Sequence, residues 1–190
     1  MKMNRLLMAT LVSSALLSTN ALAADGTITF NGLVTASACT TVAGAASIGG
    51  TASTNATIAM PNVTASALNS AAGTIAGHTP FTIELSGCQS TAALNNVRAL
   101  FSTTSAPASD SNIMANVAGA GAADDVGIAI LTPGGTQVDL NGGPSVSPGV
   151  ALPATPGAIT LSYVAAYKSL STSVTTGPVQ GVTDYVLSYY

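Results

Sequence analysis

The chain has 190 residues, of which only 6% are charged, against roughly 25% in an average soluble domain. Its length fits one domain, and its net charge of −3 with four basic residues leaves no patch that could neutralise nucleic-acid phosphates. One His, two Cys and seven acidic residues supply few groups for catalysis or metal binding. We therefore predict no enzyme activity, no cofactor, no metal site, no small-molecule substrate and no nucleic-acid partner.

The amino-terminal segment has the features of a secretory signal peptide. Two basic residues precede an uncharged apolar run, residues 6–17, and a small-residue cleavage motif ends at Ala23. The run is too short to span a bilayer as a helix. We predict that residues 1–23 are removed on export and that the mature chain begins at Ala24.

The two cysteines agree with export. An even cysteine count in an exported chain favours a disulfide, and Cys39 and Cys88 form the only possible pair. The alternative is a pair of buried free thiols. A zinc site is disfavoured because Cys39, Cys88 and the distant His78 do not supply a tetrahedral ligand set.

The rest of the sequence predicts short strands separated by turns. Apolar, β-branched and aromatic residues alternate with polar ones, and Gly, Pro, Asn and Ser clusters interrupt the runs, as in an antiparallel sandwich or barrel. The predicted strands are residues 27–34, 57–60, 80–85, 96–101, 126–131, 137–140, 158–167 and 181–189. Small-residue stretches at 43–55, 102–111, 116–123 and 141–157 predict loops.

Isolated polar residues carry no recognisable site. His78 has no serine or cysteine nucleophile at a spacing that would suggest a catalytic triad, so we interpret it as a loop residue. Asp124 and Asp125 have Ala and Val neighbours rather than oxygen ligands, which favours a solvated loop over a calcium site.

Four segments together resemble the pilins of the chaperone–usher class, the subunits of Gram-negative type 1 and P pili. Residues 25–39, DGTITFNGLVTASAC, join an alternating strand to the first cysteine, and residues 80–88, PFTIELSGC, do so for the second. Residues 126–142 contain the strand VGIAIL, a Gly turn and a short strand that ends in LNG. The last six residues, YVLSYY, have an aromatic at the penultimate position.

The resemblance implies an all-β fold, an incomplete immunoglobulin-like β-sandwich that lacks its final strand and is completed by a donor strand from another subunit. A sandwich short of one strand exposes an apolar groove and unpaired edges, which an extended segment can fill by strand addition. In this family a periplasmic chaperone lends the strand first. The amino-terminal extension of the next subunit then replaces it at the outer-membrane usher.

The same resemblance implies roles for particular residues. Residues 24–34 would be the donor extension running into the first strand, and residues 35–190 the pilin domain. The acceptor groove would be edged by the first and last strands, and a basic cleft of the chaperone would anchor the terminal carboxylate. The donor-strand residues would be Gly26, Ile28, Phe30, Gly32 and Val34. The acceptor-groove and chaperone-contact residues would be Tyr185, Leu187, Tyr189 and Tyr190.

The sequence thus predicts a structural subunit, most simply the major one, of a fimbria used in cell adhesion. Its expected partners are identical or related pilin subunits, the periplasmic chaperone and the outer-membrane usher. Its expected destination, after export through the periplasm, is the cell surface. Two alternatives stay open: a minor or adaptor pilin of the same system, and a secreted β-sandwich binding module that folds and stays monomeric alone.

Overall fold

The computed structural model describes residues 37–47, 49–141 and 149–190. Within these ranges the chain forms eight strands and one short helix. They are β1 (Thr41–Ser47), α1 (Ala65–Leu68), β2 (Ile75–Cys88), β3 (Asn96–Ser102), β4 (Met114–Ala115), β5 (Val126–Leu131), β6 (Val150–Ala151), β7 (Gly157–Ser169) and β8 (Asp184–Tyr189). The predicted strand at residues 27–34 lies outside the described residues.

The strands form two antiparallel sheets with their inner faces packed together. The larger has the order β1-β2-β7-β5-β4 and the smaller the order β6-β3-β8. The core between them includes Phe81, Ile83 and Leu85 from β2 and Val97 and Phe101 from β3. Two packed antiparallel sheets of this kind make an immunoglobulin-like sandwich, so the all-β class predicted from the sequence is confirmed.

The alternation of buried and exposed side chains explains most of the strands. In β2, Phe81, Ile83 and Leu85 are buried while Glu84 between them is exposed, which is the two-residue period of a sheet with one buried face. The same pattern runs along β7, which pairs with β2 on one side and β5 on the other. The predicted strands 80–85, 96–101, 126–131, 158–167 and 181–189 correspond to β2, β3, β5, β7 and β8.

The disulfide predicted from the cysteine count is confirmed. Cys39, just before β1, is bonded to Cys88, the last residue of β2. Both residues are buried in the core. The bond therefore fastens the first described strand to its neighbour at one end of the larger sheet.

The predicted loop at residues 43–55 is wrong over residues 43–47, which belong to β1. Small residues have a low strand propensity, but pairing with β2 and burial of Ala46 override that preference here. Gly44 lies at a bulge with φ of +102°, and a Cβ at this position would overlap the backbone of Ser53. Only glycine fits such a close approach without strain.

Two other predicted strands differ from the structure. Residues 57–60 are extended but pair with no strand in the described part of the chain. Residues 137–140 form only an isolated bridge, between Gln137 and Leu131. The chain leaves the larger sheet after this bridge, since Asn141 forms an isolated bridge with Ser102 of β3 in the smaller sheet.

The outer face of the larger sheet is covered by the segment that precedes β4, which buries Ile113 completely. Lys168 of β7 holds this segment, because its Nζ donates to Asp110 Oδ2 and to Gln137 Oε1, both at 2.7 Å. Partial burial works to raise the pKa of Asp110. The hydrogen bonds from Lys168 and from a backbone amide outweigh burial, so the pKa lies below its ordinary value.

Candidate functional site

A long apolar groove lies beside the last strand. Its volume is about 1520 Å³. One rim is β8, and the other is formed by β1 and by residues between 54 and 63. The floor consists of core side chains from β2, β3, β5 and β7, including Phe81, Ile83, Phe101, Ile128, Ile130 and Ala165.

The rim at β8 presents one apolar face and one unused backbone edge. Tyr185, Leu187 and Tyr189 point inward and pack against the core while staying half-buried, whereas Val186 between them is 62% exposed on the opposite face. Within the described ranges β8 pairs only with β3. Its other edge therefore offers backbone donors and acceptors to a strand that would lie in the groove.

The opposite rim also combines an inward apolar face with a backbone edge that has no partner among the described residues. Ala56, Ile58 and Met60 are half-buried and alternate with the exposed Thr57 and Ala59, and both Ile58 and Met60 pack against the core. This is the side-chain pattern of a strand. Among the residues that the structure describes, however, the backbone of residues 56–62 makes no hydrogen bond.

An aromatic cluster lies under the groove. The ring of Phe101 is 4.9 Å from that of Tyr163 and 6.4 Å from that of Tyr185, and Phe81 contacts both Phe101 and Tyr163. Burial raises the pKa of Tyr185, so its hydroxyl stays neutral at physiological pH. The floor is thus apolar and uncharged, and it favours aliphatic and aromatic side chains over charged ones.

The two ends of the groove differ. At one end the hydroxyl of Ser37 donates to Tyr189 Oη at 3.0 Å, beside the disulfide. At the other end Gly181 lies against Met114 and Ile128, where a Cβ would come within 2.9 Å of Met114 Cβ and 3.1 Å of Ile128 Cδ1. A glycine at this position therefore keeps the second end of the groove open.

Asn116, which lies in a predicted loop, organises the chain at the Gly181 end. Its Nδ2 donates to the carbonyl oxygens of Ala123 and Pro178 at 2.8 and 3.0 Å. Its Oδ1 accepts from the amides of Ala118 and Gln180 at 3.1 and 2.9 Å. One side chain thus joins three segments, and sequence reasoning missed it because loop asparagines are common and their partners are remote in sequence.

The structure brings three of the four predicted acceptor residues together and places the fourth elsewhere. Tyr185, Leu187 and Tyr189 line the groove. Tyr190 points to the outer face, where its ring lies 4.5 Å from the guanidinium of Arg98. Its carbonyl oxygen accepts from the amides of Asn95 and Asn96 at 2.8 and 2.9 Å.

The remaining predicted residues carry no site geometry in the described part of the chain. The donor residues, numbers 26–34, lie outside the described ranges. His78 is exposed on β2 rather than in a loop. Asp125 has φ of +58° and accepts a hydrogen bond from Ser171 Oγ at 2.7 Å. No group of three or more metal-ligating side chains occurs in the ranges described.

A groove with apolar walls and an unpaired backbone on both rims can bind one extended chain by strand addition. Main-chain hydrogen bonds to both rims would give affinity, and alternate side chains would enter the floor.

Comparison with known proteins assigns the family. The model of the family described as fimbrial protein matches residues 24–190. The chain belongs to this family. It is a fimbrial protein, and its sandwich has the immunoglobulin-like fold of the pilus subunits to which it is similar. No curated protein matches the chain.

Three solved structures support the fold. A subunit of a chaperone–usher pilus, described in a study of rod uncoiling, is 23% identical with a TM-score of 0.58, covering 88% of this chain and 96% of its own. The P pilus rod subunit PapA is 21% identical with a TM-score of 0.54, covering 72% and 93%. A type I fimbria protein of Burkholderia pseudomallei is 24% identical with a TM-score of 0.52, covering 72% and 84%.

The described residues contain one short helix, α1. Within these ranges, no helix has the length and hydropathy that a membrane span requires.

Proposed function

We propose that this fimbrial subunit polymerises head-to-tail by donor-strand exchange. Residues 26–34 of one subunit fill the groove of the next. The observation that carries the proposal is a pair of backbone edges, β8 and residues 56–62, on either side of one apolar floor, which no strand of the described ranges covers. A contact between two different surfaces of the same subunit does not close on itself, so repetition makes a fibre.

The sequence of the donor segment fits the groove. Nine residues in a strand span about 30 Å, comparable to the stretch from Val179 to Tyr189 that lines one side. Ile28 and Phe30 alternate with the polar Thr27 and Thr29, so both apolar side chains face the floor when the backbone pairs with the rims. Each such side chain contributes roughly 1.5–3 kcal/mol when buried.

The role in the fibre follows from this contact. The signal peptide, residues 1–23, directs export, and the periplasmic chaperone covers the groove until the usher presents the next subunit. Tyr190 lies at the end of β8, where the chaperone's basic cleft anchors its carboxylate. The chain is the major structural subunit of an extracellular adhesive fimbria and not an enzyme. A minor or adaptor subunit differs from this role only in the identity of its neighbours.

The direct test removes the donor segment and returns it as a peptide. A chain that begins at Thr35 is refolded with its disulfide intact, with or without a peptide of residues 24–35, and followed by near-ultraviolet circular dichroism and sizing. We expect a stable monomer only with the peptide. A matched peptide with Ile28→Asp and Phe30→Asp should not rescue folding. A well-folded monomer without any peptide would favour the self-sufficient binding module instead.

A second test compares two neighbouring residues of β8. Leu187→Asp places a charge in the apolar groove and should abolish fibre formation, because an unpaired buried carboxylate is strongly unfavourable. Val186→Asp places the same charge on the exposed face and should leave assembly intact. Equal loss of fibres in both variants would argue against a role for the groove.

A further inference from the structure

Ser37 joins the start of the described chain to its last strand. The Oγ of Ser37 lies 2.7 Å from the carbonyl oxygen of Cys39 and 3.0 Å from Tyr189 Oη, and the amide of Cys39 donates to it at 3.3 Å. The contacts with Cys39 form a local turn of the kind that serine side chains often make with nearby backbone. The contact with Tyr189 joins residues 152 positions apart, and the local turn does not require it.

The chain is firmly held immediately after Ser37. Cys39 is 5% exposed and is bonded to Cys88. The backbone on either side of Cys39 is hydrogen-bonded to residues 86 and 89, at 3.1 and 2.9 Å. Residues 38–40 are therefore fixed to the end of β2, and any freedom of the preceding residues relative to the sandwich begins at Ser37.

The tyrosine that Ser37 contacts also has a fixed place. Tyr189 lies opposite Val97 in the smaller sheet, packs against the core and is half-buried. Ser37 and Tyr189 both line the groove. Only residues 35 and 36 separate Ser37 from the proposed donor segment, residues 26–34. One pair of hydroxyls therefore joins the groove that receives a strand to the point from which the chain gives one.

We propose that Ser37 and Tyr189 form a clamp that sets the direction in which the donor segment leaves each subunit. The inference rests on the proposed donor-strand exchange, in which this segment connects one subunit to the groove of the next. A strand of nine residues is about 30 Å long, so a rotation of roughly 20° at its base displaces its far end by roughly 10 Å. The clamp at the base therefore limits the angle between consecutive subunits, and its loss makes the fibre more flexible.

The experiment measures the bending of fibres sheared from cells that assemble the wild-type chain or a variant. Electron micrographs give the persistence length of the fibres, and the mass of sheared protein gives their yield. Loss of one hydrogen bond shifts an equilibrium by about 5-fold, so Ser37→Ala should shorten the persistence length by about 2- to 5-fold. The yield of fibre should not change.

Ser53→Ala is the matched control for this variant. The Ser53 hydroxyl accepts from the amide of Asn55 at 3.2 Å, in the same local pattern as Ser37 and Cys39, and Ser53 bridges β1 instead of contacting β8. Its fibres should have the wild-type persistence length. Ser37→Thr keeps the hydroxyl and should also bend as the wild type does.

A tyrosine variant separates the clamp from the local turn. Tyr189→Phe removes one hydroxyl and leaves the turn between Ser37 and Cys39 intact, so it should shorten the persistence length as Ser37→Ala does. The double variant of Ser37→Ala with Tyr189→Phe should be no more flexible than either single variant, because both changes remove the same contact.

Several results would overturn the inference. Ser37→Ala fibres as stiff as the wild type, or Ser37→Thr fibres as flexible as Ser37→Ala, would exclude a role for the hydroxyl. Stiff Tyr189→Phe fibres would assign the effect of Ser37→Ala to the local turn, and additive effects in the double variant would mean that the hydroxyls act separately. If Ser37→Ala gives too little fibre to measure, Tyr189→Phe decides by the same measurement. Failure of the wild type to form fibres concerns the donor-strand proposal and is seen before any bending is measured.

Discussion

The β1 edge and the β8 edge of the sandwich differ in what covers them. At the β1 edge, the Cys39–Cys88 disulfide joins β1 to β2, and the outer side of β1 is bridged by Ser53, which exchanges two backbone hydrogen bonds of 2.9 Å with Ala45. At the β8 edge, in the part of the chain described, no strand pairs beyond β8. Within the described residues, the chain caps the β1 edge and places no strand beyond β8.

The difference does not follow strand propensity. The β1 edge has low strand propensity and is nevertheless fastened covalently and by hydrogen bonds. The β8 edge is rich in aromatic and β-branched residues, which favour strands, yet no strand of the described ranges pairs with its outer side. Under the proposed function, a second molecule covers this edge.

Breaking the closed edge should have the largest effect on stability. The disulfide closes a loop of 49 residues, and a crosslink of that length contributes roughly 4 kcal/mol in the chain-entropy model. We expect the double variant Cys39→Ser and Cys88→Ser, bound to the peptide of residues 24–35, to lose about that much free energy of unfolding in urea. An unchanged free energy of unfolding would contradict the stabilising role of the crosslink.

A pair of leucines sharpens the contrast between an interior and an edge strand. Leu161 of β7 is 2% exposed, so Leu161→Ala should lower the free energy of unfolding of the peptide-bound chain by about 3 kcal/mol. Leu187 of β8 is half-buried, so Leu187→Ala should lower it by about 1 kcal/mol. Leu187→Ala should also weaken binding of the donor peptide by about 10-fold. Urea unfolding measures the stability of each variant, and peptide titration measures its affinity for the peptide. An equal loss of peptide affinity in both variants would contradict the contrast.

The end of the groove at Gly181 depends on Asn116. Asn116→Ala removes four hydrogen bonds, and their backbone partners must then be satisfied by water. The variant should therefore lose about 2 kcal/mol of free energy of unfolding. Asn95→Ala is the matched control, because Asn95 is exposed and its side chain lies outside the groove. Thermal unfolding measures the melting temperature of both variants, and we expect only Asn116→Ala to lower it. An unchanged melting temperature for Asn116→Ala would show that the segments it joins do not limit stability.

The smallest effect concerns the ion pair that covers the larger sheet. The pKa of Asp110 is lowered in the folded state, so the carboxylate stabilises the fold above its unfolded pKa of about 3.9. This contribution is lost as the pH falls through the lower folded pKa. Asp110→Asn should cost about 1 kcal/mol at pH 7, and this cost should decrease as the pH falls below the unfolded pKa. The exposed Asp124→Asn is the control, and a pH-independent cost for Asp110→Asn would contradict the sign.

Much of the fold was predictable because alternation is strong where one face of a strand is buried. The segments that became β2, β3, β5, β7 and β8 all show it. The strand β1 was missed because Ala, Gly and Ser carry little signal, and only its pairing with β2 makes it a strand. Residues 57–60 show the converse, since they have the sequence and shape of a strand without a partner in the described part of the chain.

The candidate site was predictable only in part. The inward face of β8 follows from alternation, so Tyr185, Leu187 and Tyr189 could be placed on one rim. The other rim could not, because its role depends on where residues 56–62 cross the core. The outward position of Tyr190 and the hydrogen bonds of Asn116 depend on tertiary contacts that no local pattern encodes.

Hydrogen exchange at the two open edges tests the central claim most directly. The mature chain without residues 24–34 is compared with the same chain bound to the peptide of residues 24–35, and exchange is followed for the amides of β8 and residues 56–62. The account predicts that both segments exchange quickly in the chain without the peptide and become protected together on binding. Protection of both segments in the free chain, or peptide binding that protects neither, would contradict it.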